Sequence, residues 1–249
     1  LLFRVGHDIA NYSRMGQSWS KPVLANIRYN GAIRRVMIVG GGYDQCYENP
    51  SFRLGATVAT TDYPDTTCNN KSAAKGNAVY IIDAKTGERI WWASSTGADT
   101  NNVNMTHSVV SRISALDRDA DGLIDHLYFG DLGGQVFRAD LNNSQTLSGS
   151  TYSAFGVRVA RLANLATDGT TGAALTLGKN PRFYEAPTVT IHDQGATTFI
   201  LVGLASGNRS TPLDVYPSVG RDGMLPTTAL TDRLVNNVYG IIDRDFIKR

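Results

Sequence analysis

A succession of three strand-like segments recurs three times along the chain, and this repeat restricts the possible folds more than any other feature. In each copy an apolar run follows small or polar residues, a second run ends in glycine, and a third pairs an aromatic residue with a following aspartate. The order is the same each time, with a period of about 80 to 90 residues. The copies comprise 20–27, 35–44 and 76–92, then 107–114, 126–135 and 133–145, and finally 185–192, 199–208 and 236–246.

Each copy predicts one antiparallel sheet, which has to stack on neighbouring sheets to bury both of its faces. Radial stacking of such sheets makes a β-propeller. A glycine-rich β-sandwich is the alternative that three loose matches leave open. The constant order of the segments favours an all-β fold, a partial or modified β-propeller with blades of antiparallel sheet. We expect residues 1–249 to form a single propeller-like domain with about three blades and the end, 1–17, of a preceding one, as a fragment of a longer protein. Residues 157–165 are predicted to add a strand.

The charge balance argues against two classes of partner. Lys and Arg number 24 and Asp and Glu 22, which leaves a net charge of +2 with 18% of residues charged. So weak a field disfavours nucleic acid and basic membrane-surface binding. No run of about 18 apolar residues occurs, so the sequence predicts no transmembrane segment.

The two cysteines, Cys46 and Cys68, lie in one proline- and threonine-rich insertion without periodicity. A disulfide between them would close a loop of about 20 residues and stabilise the fold by about 3 kcal/mol. It would also indicate an oxidising compartment. Two free buried thiols are the alternative, whereas a metal or redox site is not expected without a CxxC pair or a nearby histidine.

One aspartate-rich loop carries the clearest chemistry in the chain. Carboxylates at positions 1, 3, 5 and 9 of a tight loop direct oxygens towards one centre, the glycine at position 6 permits the turn, and the carbonyl at position 7 also faces the centre. Such oxygen ligands suit a hard dication, and four carboxylates held this close repel one another without a cation. The predicted Ca²⁺ ligands are the side chains of Asp117, Asp119, Asp121 and Asp125 and the carbonyl of Leu123.

This loop is not an EF-hand. Position 12 is Tyr128 and not the bidentate glutamate, and strands are predicted on both sides. Calcium is favoured over magnesium because the loop offers many protein oxygens and no dedicated octahedral arrangement that keeps waters. A solvent-exposed aspartate-rich turn that binds nothing is the alternative.

A second motif, Asp83 to Trp91, resembles the D-x-x-T-G-x-x-x-W core of quinoprotein propeller blades. The resemblance implies quinoprotein-like blades whose tryptophan docks between neighbouring sheets. Ile81 departs from the family pattern, and Asp140 and Asp243 mark only degenerate copies. Trp19, Trp91 and Trp92 are all interpreted as packing between blades and not as a ligand platform.

The sequence does not indicate catalysis. The four histidines, His7, His107, His126 and His192, show no metal-binding spacing, although His126 directly follows the aspartate-rich loop. No nucleophile elbow is present. The glycines at 40–42 are interpreted as a turn, and 172–180 departs from the phosphate-loop pattern. We therefore expect no enzyme, no quinone cofactor and no catalytic residue.

Taken together, the sequence resembles the C-terminal domain of the PilY/PilC family of type IV pilus biogenesis and tip-adhesin proteins. Residues 108–140 and 76–92 carry the match. The resemblance implies a secreted, cell-surface protein associated with the pilus or the outer membrane, with calcium in the aspartate-rich loop. It also implies minor pilins as partners, adhesion to host or abiotic surfaces, and a role in pilus extension and twitching motility. The Arg-Gly-Asp tripeptide of some relatives is absent, which puts integrin binding in doubt.

Two other functions stay open at the level of sequence. Integrin-type propellers also carry such loops, so a calcium-stabilised adhesion module unrelated to pili is one alternative. A fragment of a periplasmic quinone-dependent dehydrogenase is the other. Integrin-type repeats carry the loop in several blades, whereas one copy occurs here.

Overall fold

The structure, a computed structural model, describes residues 1–48, 52–56, 66–167, 171, 180–195, 197–210 and 236–244. Its regular structure in these parts is β apart from three short 3₁₀ turns at Ala10–Tyr12, Gln45–Glu48 and Thr66–Cys68. The strands form several antiparallel sheets, none of which closes on itself. The predicted all-β fold class is thus confirmed.

Sheet 1 is built from the first copy of the repeat. Its strands follow one another in chain order: β1 (Val23–Tyr29), β2 (Ala32–Gly40), β3 (Ala78–Asp83), β4 (Arg89–Ser94) and β5 (Thr100–Asn101). All pairs are antiparallel except β4 with β5. The sheet therefore has the expected meander with a short parallel strand added at its outer edge.

Sheets 2 and 3 correspond to the second and third copies. Sheet 2 has the order β11-β8-β7-β6, and sheet 3 the order β12-β13-β14. The strand β11 confirms the strand predicted at 157–165 except for its last residue, and β9 and β10 form a separate hairpin. The strands are β6 (Ser114–Leu116), β7 (His126–Gly130), β8 (Gln135–Leu141), β9 (Leu147–Ser148), β10 (Thr151–Tyr152), β11 (Gly156–Asn164), β12 (Thr188–Gln194), β13 (Thr197–Ala205) and β14 (Val238–Asp243).

The prediction of a strand over 107–114 is wrong for most of its length, because only Ser114 belongs to β6. The backbone of Val109 instead forms hydrogen bonds with two glycines next to the strands β2 and β3 of sheet 1. Its N–H donates to the carbonyl of Gly76 at 2.9 Å, and its carbonyl accepts from the N–H of Gly42 at 3.0 Å. This segment is therefore an extended lead-in that joins two sheets and not part of a ladder.

The sheets stack face to face through separate apolar clusters. Between sheets 1 and 2 lie Ile38 and Ile81 on one side and Phe129 and Phe137 on the other. A second cluster fills the space between sheets 2 and 3. A third covers the outer face of sheet 1, where the N-terminal segment packs Tyr12 against Tyr80. Each sheet thus depends on its neighbours for burial, as blades do.

The blade motif forms the turn between β3 and β4. The carboxylate of Asp83 accepts from the backbone N–H groups of Lys85 at 2.9 Å and Thr86 at 3.0 Å. Gly87 takes a left-handed φ of 77° that a side chain would strain. Trp91 lies in the cluster between sheets 1 and 2, which confirms the expected docking of the motif tryptophan.

The three tryptophans differ in environment. Trp91 is 2% exposed and packs between sheets 1 and 2 as predicted. Trp92 is 8% exposed but stacks on Tyr80 at the outer face of sheet 1, beneath the N-terminal segment. The prediction for Trp19 is wrong, because it is 52% exposed and lies flat on Tyr43, with ring centroids 4.4 Å apart. Its place in a lead-in segment, before β1 begins, keeps it outside the clusters between the sheets.

A glycine that recurs at the end of the middle strand marks where the next segment packs. A methyl group on Gly40 would lie 2.4 Å from the carbonyl oxygen of Val109, and one on Gly130 would lie 2.7 Å from the Cβ of Phe183. The equivalent Gly203 has open space around it, with its nearest atom 4.0 Å away. The first two glycines are therefore required by close packing, and the third is not.

We expect Gly40→Ala to lower the free energy of unfolding by about 1 to 3 kcal/mol, since the added methyl group meets backbone that cannot move aside. The matched control Gly203→Ala should leave stability unchanged or raise it by up to about 1 kcal/mol, since alanine restricts the unfolded chain. Urea unfolding monitored by tryptophan fluorescence measures both. Equal destabilisation by the two variants would contradict the packing described here.

The predicted disulfide is present between Cys46 and Cys68, 22 residues apart. Both cysteines are buried in a satellite cluster with Tyr43, Tyr47 and other apolar side chains. The insertion between them is described only at 47–48, 52–56 and 66–67. The bond therefore joins the two ends of this insertion within a buried cluster.

Replacing both cysteines, Cys46→Ser with Cys68→Ser, should lower the free energy of unfolding by about 3 kcal/mol because the unfolded chain regains the freedom of the loop. Urea unfolding of the variant and of the wild type, with and without a reductant, measures the loss. The reductant should destabilise the wild type by a similar amount and leave the variant unchanged. A reductant effect of equal size on both proteins would contradict this account.

Candidate metal centre

The aspartate-rich loop at 117–125 connects β6 to β7 at one end of sheet 2. Gly122 has a φ of 87°, in the left-handed region that glycine adopts without strain. Ala120 also lies in this region, with a φ of 60°, which no sequence signal indicated. Two left-handed residues within three positions fold the loop back on itself.

Hydrogen bonds from the loop's own backbone fix its carboxylates. Asp117 accepts from the N–H of Gly122 at 2.8 Å, and Asp121 accepts from the N–H of Leu123 at 2.8 Å. Asp125, which is 5% exposed, accepts from the N–H of Arg118 at 2.9 Å. The loop's own backbone therefore orients the carboxylates of Asp117, Asp121 and Asp125, while Asp119 and Asp121 stay exposed to solvent.

Three of the four predicted aspartates come together. Asp117, Asp119 and Asp125 each place one carboxylate oxygen within 4.8 Å of the others. The Oδ1 atom of Asp117 is buried and has no hydrogen-bond partner. Asp121 lies outside this group, and the Leu123 side chain is buried. An aspartate cluster that could hold a metal ion is therefore present, while the individual ligands stay a prediction.

The electrostatics of the cluster favour a cation. Carboxylates this close repel one another, and a cation between them removes that repulsion. The unpartnered oxygen of Asp117 also loses its hydration without compensation from the protein. An oxygen-only group of this kind suits a hard dication better than a metal that prefers nitrogen or sulfur.

The loop is tied to both sheets that flank it. The N–H of Ile124 donates to the carbonyl of Asn26 in β1 at 3.0 Å, and the N–H of Leu141 donates to the carbonyl of Asp125 at 2.8 Å. Asn143, just beyond β8, donates to the carbonyl of Ile124 at 3.0 Å and accepts from the N–H of Arg28 at 2.9 Å. Sequence reasoning missed Asn143, which carries no local motif.

An ionic network lies directly behind the loop. His126 Nδ1 is 2.8 Å from Asp140 Oδ1, and the fully buried Arg138 contacts Asp140 at 2.6 Å and Asp243 at 2.5 Å. Although burial raises the pKa of Asp140, hydrogen bonds from His126, Arg138 and Arg158 lower it far below its ordinary value. The degenerate motif aspartates thus link sheets 2 and 3, a role that their spacing did not indicate.

The other candidates from the sequence have structural roles or lie outside the described residues. His107 accepts or donates a bond of 2.7 Å with the hydroxyl of Tyr47, and burial together with Arg182 and Arg53 lowers its pKa to about 4. His192 stacks on Phe199. The turn predicted at 40–42 is not found, because Gly40 ends β2 and the N–H groups of Gly41 and Gly42 donate to the carbonyls of Ala78 at 2.7 Å and Val109 at 3.0 Å. Residues 172–179 lie outside the described residues.

The comparisons with known proteins give a similarity at the level of structure and none at the level of sequence families. No protein-family model and no curated protein matches the chain. Its structure is similar to the crystal structure of the Pseudomonas aeruginosa PilY1 C-terminal domain, with a TM-score of 0.43 and 18% sequence identity. The match covers 90% of this chain and 49% of that one, so the chain spans about half the length of the similar structure.

A second buried carboxyl, Asp131, lies in the turn between β7 and β8. It accepts from the N–H groups of Gly133 and Gln135, both at 2.9 Å, and from the Gln135 side chain at 3.0 Å. Burial raises its pKa to about 7, against the opposing effects of these hydrogen bonds and of Arg161. In the sequence this aspartate shows only as part of a glycine turn.

Folding raises the pKa of Asp131. Between about pH 4 and 7 the folded protein therefore keeps a proton on this carboxyl, whereas the unfolded chain has released it. Its contribution to stability is therefore greatest below about pH 4 and is lost as the pH rises to about 7. Urea unfolding of wild type and Asp131→Asn at several pH values measures this. The stability difference, wild type minus variant, should decrease across that interval and stay constant above it. A difference that increases with pH would contradict the assignment.

Proposed function

We propose that this chain is a calcium-binding, pilus-associated protein that supports type IV pilus assembly and extension, twitching motility and surface adhesion. The convergence of Asp117, Asp119 and Asp125 around a buried, unpartnered oxygen is the observation that supports calcium binding most directly. The resemblance of 76–92 and 108–140 to the PilY/PilC family supports the association with the pilus.

Calcium fits this loop better than magnesium. Calcium accepts six to eight oxygen ligands in flexible geometry, whereas magnesium demands near-ideal octahedral geometry and keeps several waters. A loop held by its own backbone hydrogen bonds supplies carboxylates and carbonyls without such symmetry. The predicted contributions of Asp121 and the Leu123 carbonyl would complete the shell through a small rearrangement of the loop.

The role proposed for the ion is structural. An ion that binds only the ordered loop stabilises that state by mass action. Since Ile124 is bonded to β1 and Asp125 to the end of β8, a fixed loop also fixes the junction of sheets 1 and 2. Binding of the ion at this loop would then determine the shape of the surface that contacts partner proteins.

We propose a secreted, non-catalytic protein at the cell surface, associated with the pilus or outer membrane, with minor pilins as partners and host or abiotic surfaces as targets. The disulfide between Cys46 and Cys68 is consistent with an oxidising compartment. Among the described residues, no helix has the length and hydropathy to cross a membrane.

Calorimetric titration of chelator-treated protein with Ca²⁺ should show one site, with weaker binding of Mg²⁺. Asp119→Asn should weaken Ca²⁺ binding by about tenfold or more, because it removes one charged ligand from the cluster. The control Asp8→Asn makes the same change in net charge at an exposed ion pair with Arg4, away from the loop, and should bind as the wild type does. Equal affinities of the two variants would exclude this loop as the site.

The pilus role is tested separately in the bacterium that carries the full-length protein. Replacing the gene by the Asp119→Asn form should reduce surface piliation and twitching, while Asp8→Asn should not. Loss of calcium binding with normal piliation and motility would refute the regulatory role and leave the metal site intact.

A further inference from the structure

The segments that directly precede the first strands β1, β6 and β12 of the three sheets, called lead-in segments here, converge on one open groove. Trp19 and Lys21 come from the segment before β1, Arg112 from the segment before β6, and Tyr184 and Glu185 from the segment before β12. The groove has a volume of about 340 Å³. The repeat therefore brings equivalent positions of three sheets together around a single space, away from the aspartate cluster.

An aromatic platform lines this groove. One face of Trp19 is covered by Tyr43, whose ring lies parallel to it within 7°, while 52% of the residue is exposed. The hydroxyl of Tyr43 is 2.8 Å from the Ser210 hydroxyl, which also contacts the hydroxyl of Tyr184 at 3.2 Å. The platform is thus held from beneath, and its free face points to the groove.

Two exposed cations, Lys21 and Arg112, line the same groove on backbone that is held in place. Ser20 donates to the carbonyl of Ser111 at 2.8 Å and accepts from the N–H of Gly40 at 2.9 Å, and both serines are buried. These residues immediately precede Lys21 and Arg112, so the backbones that carry the two cations are bonded to each other. Like charges held side by side repel each other and attract an anion.

The acidic side chain of the groove does not neutralise these cations. Glu185 pairs with Arg209, whose guanidinium also lies 5.7 Å above the ring of Tyr184. In the part of the chain that the structure describes, no carboxylate lies within ion-pair distance of Lys21 or Arg112. Among the described residues that line it, the groove therefore has more cations than carboxylates, although the whole chain is nearly neutral.

We propose that this groove binds an acidic saccharide. The carboxylates of the sugar would pair with Lys21 and Arg112, as charge-assisted hydrogen bonds do, and the C–H face of a sugar ring would lie on the negative face of the Trp19 indole. Two cations in one groove match a ligand that carries more than one carboxylate. They do not match the phosphate backbone of a nucleic acid, which needs many more contacts. The site shares no residue with the aspartate cluster.

The probe is a trimer of galacturonic acid, titrated into the intact protein while tryptophan fluorescence is recorded. Trp91 and Trp92 are buried, so Trp19 accounts for most of the emission that acrylamide can quench. Binding should change the emission and protect it from acrylamide. The affinity for the fully methyl-esterified trimer should be lower by about tenfold or more, because this trimer has lost its charges.

Variants separate the two parts of the site. The double variant Lys21→Gln with Arg112→Gln should weaken binding of the acid trimer by about tenfold or more. The control Lys85→Gln with Arg35→Gln removes the same charge from exposed positions outside the groove and should stay within about twofold of wild type. Trp19→Ala should weaken binding of the acid trimer to a similar degree, and Trp19→Phe should restore part of the lost affinity. Calorimetry measures both variants, since they lack the fluorescent side chain.

Three results would overturn the proposal. These are no binding of the acid trimer at millimolar concentration, equal affinity for the acid and the ester, and equal losses in the groove variant and its charge control. Tighter binding of a single-stranded oligothymidylate, lost in the same groove variants, would assign the groove to nucleic acid instead. Because calcium titration of the same variants should stay as in wild type, failure here leaves the calcium proposal unaffected.

Discussion

The burial of both faces of each sheet is the constraint on which the rest of the structure depends. Strand β3 is buried at all six positions, with Val79 and Ile81 facing sheet 2 and Tyr80 and Ile82 facing the N-terminal segment. Burying one large apolar side chain contributes about 1.5 to 3 kcal/mol, so such a strand is stable only when partners cover both sides. The order of the sheets in space therefore follows the order of the repeats in the chain.

The same constraint explains why the strands were predictable and their register was not. Runs rich in Val, Ile, Leu and aromatic residues, with a glycine at or near their end, identify β2, β7 and β13 directly. Gly40 and Gly130 pair with Val79 and Val136, whereas Gly203 pairs with Gly240. This offset of one residue in the third sheet is set by tertiary contacts, which no local pattern encodes.

The offset has a chemical consequence. In the first two sheets the motif aspartates lie on the face directed towards the following sheet, but in β14 the shift turns Asp243 back towards sheet 2. There it meets Arg138, which is fully buried, and the hydroxyl of Tyr128 at 3.0 Å. A charge so deeply buried is tolerated only when it is paired and hydrogen-bonded. Sequence identified these aspartates as copies of a motif and missed the ion pair, because pairing depends on register.

The convergence of Asp117, Asp119 and Asp125 was predictable from their spacing, since loop geometry is local, whereas the expected place of Asp121 beside them was not found. The supports of the loop were not predictable, because Asn26 and Asn143 approach it from distant parts of the chain. The groove beside Trp19 escaped notice for the same reason, as its residues come from three lead-in segments. Loop and groove begin at opposite ends of β6, which spans only three residues, or about 10 Å. The Ile124–Asn26 and Ser20–Ser111 hydrogen bonds that hold them both join sheet 1 to sheet 2, so one junction between sheets supports both sites.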